Sequence, residues 1–127
     1  MSVVLDASAL LALLANEPGA ARVAQALAQR APISAVNLSE VVAKLSDRGL
    51  PDEAVFEVLD GLELTVVAFD ADLALDAGVL RASTRARGLS LGDRACLALA
   101  RRTGFRALTC DGAWAGLDFG VDVEVVR

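Results

Sequence analysis

Four carboxylates stand where predicted strands end or predicted helices begin: Asp6, Glu40, Asp93 and Asp111. Carboxylate oxygens are preferred ligands of hard cations such as Mg²⁺ and Mn²⁺. Two such ions about 4 Å apart can activate water and stabilise the leaving oxygen of a phosphodiester. The sequence has no histidine, which excludes a Ser-His-Asp triad, a Cys-His pair and a histidine-bound zinc. Acid–base or metal chemistry in this chain must therefore depend on carboxylates.

Each carboxylate also has an ordinary structural interpretation. Asp6 can cap the helix predicted to begin at Ala7. Asp111 precedes Gly112 in a dipeptide that is typical of turns. For these two residues a local structural role and a role in a site both stay open.

Glu40 follows Asn37 by three residues, a spacing that predicts a capping box with Asn37 as N-cap. The apolar stripe of this helix leaves Glu40 on the opposite, solvated side, and consists of Leu38, Val41, Val42 and Leu45. Asp93 also has a capping-box spacing, from Ser90, but it shares the apolar face of its helix. A carboxylate on such a face is costly unless positive charge meets it, as a helix N-terminus or a cation would provide.

The elements that must position these residues alternate between short apolar strands and helices. The predicted strands are Val3–Leu5, Ile33–Ala35, Leu64–Phe69, Arg106–Thr109 and Val121–Val126. The predicted helices are Ala7–Asn16, Pro18–Arg30, Asn37–Arg48, Asp52–Asp60, Ala71–Arg87 and Ser90–Thr103. This alternation favours a parallel sheet covered by helices on both faces, with ligands bound at the carboxyl ends of the strands. Asp6 and Asp111 both lie at such ends.

Composition indicates one globular domain in 127 residues, of which 55% are hydrophobic. With 12 Lys and Arg against 17 Asp and Glu, the chain does not bind nucleic acid by bulk positive charge. The N-terminus has no basic segment of a secretory signal, and no apolar run is long enough to span a bilayer. Both cysteines, Cys96 and Cys110, lie in apolar surroundings and are expected to be reduced thiols in the cytoplasm.

Arginines are the cations that could position a phosphate, and Arg81, Arg85 and Arg94 are candidate RNA contacts. The same residues are also consistent with a solvated helix face. Trp114 could stack a base, although a single Trp is more often part of a core.

Taken together, these residues resemble the PIN-domain ribonucleases, specifically the VapC-type toxins of bacterial toxin–antitoxin pairs. The matching stretches follow the order of the family: VVLDASALLALL, NLSEVVAKL, GLSLGDRACLALA and ALTCD followed by Trp114. The resemblance covers nearly the whole chain. It implies a single PIN domain over residues 1–127, with a three-layer α/β/α fold and a mostly parallel central sheet. It also implies an endoribonuclease toxin that depends on Mg²⁺ or Mn²⁺.

The resemblance assigns roles to particular residues. Asp6, Glu40, Asp93 and Asp111 correspond to the catalytic acidic cluster of the family, with Asp6, Asp93 and Asp111 as metal ligands. Ser8 and Thr109 correspond to polar residues that support the carboxylates. This assignment places Glu40 in the site, against its periodicity.

The resemblance also implies partners: an RNA substrate, a cognate antitoxin that masks the site, and a second copy of the chain in a homodimer formed through helices. Two alternatives stay open at this stage, a PIN-like module that only binds or scaffolds and another Mg²⁺-dependent phosphoryl-transfer enzyme. A contribution of Asp76 or Asp118 to the site is also open.

Overall fold

A computed structural model describes residues 2–116 and 120–126. Over these ranges the strands are β1 (Val3–Leu5), β2 (Pro32–Ser34), β3 (Thr65–Val67), β4 (Arg106–Thr109) and β5 (Val123–Val125). They form one sheet in the order β3-β2-β1-β4-β5, and all neighbouring strands in it are parallel. The predicted parallel sheet is therefore confirmed. The order reverses direction between β1 and β4, which is where open α/β sheets bind ligands.

Helices connect the strands. They are α1 (Ala7–Leu14), α2 (Ala20–Ala28), α3 (Ala35–Asp47), α4 (Asp52–Gly61), α5 (Ala71–Val79), α6 (Arg81–Thr84) and α7 (Leu91–Thr103), with 3-10 turns at Arg85–Arg87 and Gly112–Trp114.

The sheet separates two hydrophobic cores, because successive side chains of a strand point to opposite faces. In β1, Val4 belongs to the core formed with α5 and α7. Its neighbours Val3 and Leu5 belong to the core formed with α1, α2 and α3. The architecture is therefore the three-layer α/β/α arrangement predicted from the sequence.

The beginning of α3 corrects one prediction. Asn37 was expected to cap this helix, but the helix begins two residues earlier, at Ala35. Ser34 is the N-cap, and its hydroxyl accepts a hydrogen bond from the N–H of Val36 at 3.2 Å. Serine is as good a cap as asparagine, so the chain passes directly from β2 into the helix. Asn37 consequently lies inside the first turn and is buried.

The helix predicted over Ala71–Arg87 is also interrupted. It divides into α5, the short α6 and a 3-10 turn. The hydroxyls of Ser83 and Thr84 both donate to the carbonyl oxygen of Leu80, at 3.2 and 2.8 Å. The N–H of Thr84 also donates to this oxygen, at 3.0 Å, so the two hydroxyls share it with the backbone, and hydroxyl bonds of this kind often bend helices. The sequence predicts that this helical segment ends at Gly88. This prediction is confirmed, since Gly88 adopts a left-handed conformation after the 3-10 turn.

Other boundaries differ by a few residues. The strand predicted over Leu64–Phe69 is reduced to β3 at the sheet edge, and α2 is shorter than Pro18–Arg30. Neither cysteine is in a disulfide. In the described ranges, no helix combines the length and the apolar character needed to cross a bilayer.

Candidate acidic site at the sheet edge

The pairing of β1 with β4 brings Asp6 and Asp111 to the same edge of the sheet. Leu5 is in register with Leu108, and the backbone N–H of Asp6 donates to the carbonyl oxygen of Leu108 at 3.1 Å. Both strands end here, so the residues that follow them are neighbours although they are far apart in sequence. The predicted placement of Asp6 and Asp111 at one strand-end edge is confirmed.

Asp6 is the centre of a buried hydrogen-bond network. Its side chain is the N-cap of α1, with Oδ1 accepting from the N–H of Ala9 at 2.8 Å. The hydroxyl of Ser8 donates to Oδ1 at 2.8 Å and to Oδ2 at 2.9 Å. The hydroxyl of Thr109 donates to Oδ2 at 2.6 Å. Both carboxylate oxygens are therefore fixed in position.

The two hydroxyls are oriented by the backbone that follows β4. Ser8 Oγ accepts from the N–H of Cys110 at 2.9 Å, and Thr109 Oγ1 accepts from the N–H of Asp111 at 3.0 Å. Each oxygen thus receives one proton from the backbone and directs its own proton to Asp6. Ser8 and Thr109 therefore both hydrogen-bond to the carboxylate of Asp6.

Burial raises the pKa of Asp6 from 3.8 to about 6. The hydrogen bonds from Thr109, Ala9 and Ser8 lower it, but they do not offset the loss of hydration, and the negative charge of Asp93 raises it further. The ionised form of this carboxylate is therefore well hydrogen-bonded, but no cation of residues 2–116 and 120–126 lowers its pKa. A cation bound here would supply a positive charge.

Asp93 lies in the first turn of α7. The N–H of Ser90 donates to Asp93 Oδ2 at 2.9 Å and the N–H of Asp93 donates to Ser90 Oγ at 3.2 Å, so the predicted capping box is confirmed. Cys96 and Leu97, on the same helical face, are fully buried as predicted. Asp93 remains half-exposed at the end of this face.

Glu40 is held against the start of α7 by Asn37. The Nδ2 group of Asn37 donates to Glu40 Oε1 at 2.8 Å and to the carbonyl oxygen of Gly92 at 3.0 Å. A Cβ atom at Gly92 would overlap the Glu40 carboxylate, so only glycine leaves room for it. Glu40 is half-buried, so the prediction from periodicity that its side chain faces solvent holds only in part.

Three of these carboxylates act electrostatically on the buried thiol of Cys96. Burial raises its pKa well above its ordinary value, and the negative charges of Asp6, Asp93 and Glu40 raise it further. Asp111 reaches the site through its backbone, while its exposed side chain accepts from the N–H of Ala113 at 2.9 Å. Asp6, Asp93 and Glu40 thus act on the same buried thiol, whereas the side chain of Asp111 is exposed.

The carboxylates are not gathered into a closed ligand set. Over residues 2–116 and 120–126, no three of the Asp, Glu and Cys side chains lie close enough together to hold a metal ion. The donor chemistry nevertheless suits a hard cation, because every acidic side chain here offers oxygen. Mg²⁺ uses one or two protein carboxylates and completes its shell with water and substrate phosphate.

The remaining candidates are more dispersed. Arg81 and Arg85 are exposed after α5, whereas Arg94 Nη1 donates to the carbonyl oxygen of Ala77 at 2.9 Å and ties α7 to α5. Trp114 is fully buried, which confirms the prediction that it belongs to the core. Asp76 is exposed on α5. Asp118 lies outside the described residues.

Two positioning residues were not identified from the sequence. Asn37 was interpreted as a cap, and the signal for its real role is a polar residue three positions before Glu40 among apolar neighbours. Gly92 sits inside a helix, where glycine is unfavourable, and this cost is itself a signal of a close approach.

Comparisons with known proteins identify the family. The profile of the PIN domain matches residues 3–120. A search by sequence among curated proteins finds no significant match. Among solved structures, the chain resembles the DNA-bound VapBC complex of Salmonella typhimurium, with a TM-score of 0.76 and 19% identity over 98% of each chain.

Two further structures share the fold. VapBC2 of Rickettsia felis, bound to a DNA fragment from its promoter, has a TM-score of 0.76 and 17% identity over 100% of each chain. A toxin–antitoxin complex from Klebsiella pneumoniae has a TM-score of 0.69 and 21% identity over 95% of each chain. The family match over most of the sequence and the shared fold confirm the resemblance drawn from the motifs: this chain belongs to the PIN domain family.

Proposed function

We propose that this protein is a metal-dependent endoribonuclease that acts in the cytoplasm as the toxin of a toxin–antitoxin pair. The observation that carries the proposal is the buried carboxylate of Asp6, which is fixed by Ser8 and Thr109 and lies within the electrostatic field of Asp93. It lies at the strand-end edge of a PIN fold that is shared with proteins solved in toxin–antitoxin complexes, such as those of Klebsiella pneumoniae and Salmonella typhimurium.

Asp6, Asp93 and Asp111 are the proposed ligands of the Mg²⁺ or Mn²⁺, with Glu40 beside them. One or two of these carboxylates would contact the ion directly, and water and substrate phosphate would complete its shell. When bound, the cation supplies activation of water and stabilisation of negative charge on the phosphodiester oxygens. The hydroxyls of Ser8 and Thr109 favour the ionised form of Asp6 and hold its carboxylate in one orientation. Asn37 holds the carboxylate of Glu40 at the same edge, where it can bind the cation or orient the attacking water.

The decisive experiment compares aspartates with the same local structure inside and outside the site. Asp6→Asn and Asp93→Asn are expected to reduce cleavage of total cellular RNA by on the order of 10⁴-fold, the size of loss seen when one member of a catalytic unit is replaced. Asp70→Asn is the matched control, since Asp70 caps α5 as Asp6 caps α1. Cleavage is followed by sequencing the 5′ ends produced with Mg²⁺ or Mn²⁺.

The outcomes separate the proposal from its alternatives. Wild-type cleavage by Asp6→Asn or Asp93→Asn would show that these residues are not catalytic. Undiminished cleavage with EDTA would refute the metal dependence. If calorimetry detects no binding of Mn²⁺ and no RNA is cut, the protein is a PIN-like binding module.

An antitoxin and a second copy of the chain are the proposed protein partners. The antitoxin is supported by the shared fold with toxin–antitoxin complexes. The homodimer is supported by Leu75 and Val79, which lie one turn apart on α5 and are 68% and 73% exposed. Light scattering is expected to give a dimer for the wild type and a monomer for the Leu75→Glu and Val79→Glu double variant.

A further inference from the structure

Two cavities share residues with the acidic site, each through a different member. The first, of about 380 Å³, includes Ser8, whose hydroxyl donates to Asp6, and Cys110. The second, of about 490 Å³, includes Glu40. The two cavities have no lining residue in common. Both are large enough for a nucleotide base or sugar, and both open beside groups proposed to act on the phosphodiester.

The second cavity offers an aromatic surface. Its other walls are mostly small or apolar, and Phe69 lines it after β3. Phe69 is partly exposed and packs on its other side against the core that contains Trp114. Bases of single-stranded nucleic acid stack on such aromatic side chains with little dependence on sequence. Since Trp114 is fully buried, Phe69 is the aromatic residue placed to do so beside Glu40.

The first cavity offers a cation. Leu11 and Pro18 give it an apolar wall, and the exposed Arg48, at the end of α3, contributes a guanidinium group. Guanidinium groups bind phosphate through paired hydrogen bonds. Glu17 also lines this cavity, and its negative charge would repel a phosphate bound there. Arg48 and Glu17 therefore have opposite effects on the affinity for an anionic ligand.

We infer that these cavities hold the nucleotides on the two sides of the cleaved bond, with a base stacked on Phe69 and a backbone phosphate bound by Arg48. An RNA that is cut in its interior must occupy both sides of the reacting phosphate. The protein has a net charge of −5, so bulk electrostatics gives it little attraction for the RNA. Contacts with particular side chains must therefore supply the affinity for RNA. The inference rests on the proposed function, because it takes single-stranded RNA as the ligand.

Binding in a variant that does not cut RNA tests this directly. The probe is a fluorescein-labelled single-stranded RNA of mixed sequence, about 12 nucleotides long, measured by anisotropy with Asp6→Asn as the parent protein. Adding Phe69→Leu is expected to raise the Kd about tenfold, whereas Phe69→Tyr keeps it within about twofold, because tyrosine also stacks. Melting temperatures check that each variant is folded.

Salt dependence separates stacking from phosphate binding. Arg48→Gln is expected to raise the Kd and to reduce the slope of log Kd against log salt concentration by about 0.7, the value for one phosphate contact on a single strand. Phe69→Leu leaves this slope unchanged. Glu17→Gln is expected to tighten binding. The matched controls are Phe56→Leu, at a residue that is 62% exposed in another cavity, and Arg101→Gln on α7.

Two results overturn the inference: unchanged affinity in both Phe69→Leu and Arg48→Gln, or an equal loss in the controls. These results leave the proposed function intact if wild type still cuts RNA and Asp6→Asn does not. If wild type neither binds nor cuts RNA, the proposed function fails as well.

Discussion

Asp6 and Asp70 begin their helices in the same way. Each has extended backbone at the N-cap position, and each side-chain Oδ1 accepts from the N–H three residues later, Ala9 at 2.8 Å and Leu73 at 2.9 Å. A helix N-terminus stabilises a negative charge in both cases. From local structure alone the two carboxylates would be expected to have similar pKa values.

Their surroundings reverse this expectation. Asp6 is 4% exposed, and its hydrogen-bond partners are the hydroxyls of Ser8 and Thr109 and the N–H of Ala9, so burial raises its pKa to about 6. The side chain of Asp70 is 52% exposed, and Arg102 donates to both of its oxygens, at 3.0 and 3.1 Å. The guanidinium of Arg102 holds the pKa of Asp70 below its ordinary value.

A capping motif alone therefore does not show whether an aspartate has a role beyond stabilising its helix. Asp70 is compensated by a cation of the chain itself. Asp6 lies where the strand order of the sheet reverses, and no cation of the described residues pairs with it. Burying its charge costs stability, and capping α1 does not require this burial. An unpaired buried carboxylate is typical of functional sites.

The largest expected effect comes from neutralising Asp6. Asp6→Asn is expected to stabilise the metal-free protein by about 2 to 3 kcal/mol at pH 7, since one unit of pKa shift corresponds to about 1.36 kcal/mol. Asparagine can still accept from Ala9 at the N-cap. The free energy of unfolding is measured by urea denaturation with EDTA present.

The pH dependence of the free energy of unfolding shows whether the charge of Asp6 causes this stabilisation. Because the pKa of Asp6 is higher in the folded than in the unfolded protein, its contribution to stability is complete below pH 4 and is lost as the pH rises to about 6. The gain from Asp6→Asn should therefore vanish near pH 4. A gain of equal size at pH 4 and pH 7 would mean that packing, not charge, is responsible.

The next effect concerns the partner of Asp6. Thr109→Val removes the 2.6 Å hydrogen bond to Asp6 and the acceptor of the Asp111 N–H, and is expected to cost about 2 kcal/mol. In the Asp6→Asn background the cost should fall, because no buried charge is left without a donor. Thr103→Val, which removes a hydroxyl bond to a helix carbonyl, is the control and should cost less. Equal costs in both backgrounds would show that Thr109 acts independently of Asp6.

The sequence was sufficient for the features that depend on neighbouring residues. Strand ends followed by aspartate placed Asp6 and Asp111 at one edge, and the Ser90 and Asp93 spacing predicted the capping box. These features depend on periodicity and capping chemistry, which a local window contains.

What could not be predicted depends on packing between distant elements. The apolar stripe of α3 left Glu40 on its outer side, yet α7 packs against that side and Asn37 bonds to the backbone of Gly92. The pattern of apolar residues along one helix does not show which other helix packs against its polar side. The interruption at Leu80 likewise required knowing that two hydroxyls would share its carbonyl oxygen with the backbone N–H of Thr84.

A pair of helical glycines tests this contact between α3 and α7. Gly92→Ala forces the Glu40 carboxylate to move and is expected to cost about 1 kcal/mol, with a loss of nuclease activity. Gly78→Ala on α5 meets open space and should instead stabilise by about 0.5 to 1 kcal/mol. Glu40→Ala should relieve the cost of Gly92→Ala in the double variant. If it does not, the two residues are not in contact.

The smallest effect is expected at Asp70, where the sign is opposite to that at Asp6. Asp70→Asn keeps the cap of α5 but removes the charge that pairs with Arg102, so the free energy of unfolding should fall slightly at pH 7. Because the pKa of Asp70 is lower in the folded protein, its contribution is present above its ordinary pKa and is lost as the pH falls, so variant and wild type converge in acid. About 1 M NaCl should also remove the difference, since the pair is exposed. A stabilised Asp70→Asn protein would mean that the two caps differ only in degree, and that burial without a cation does not distinguish the site.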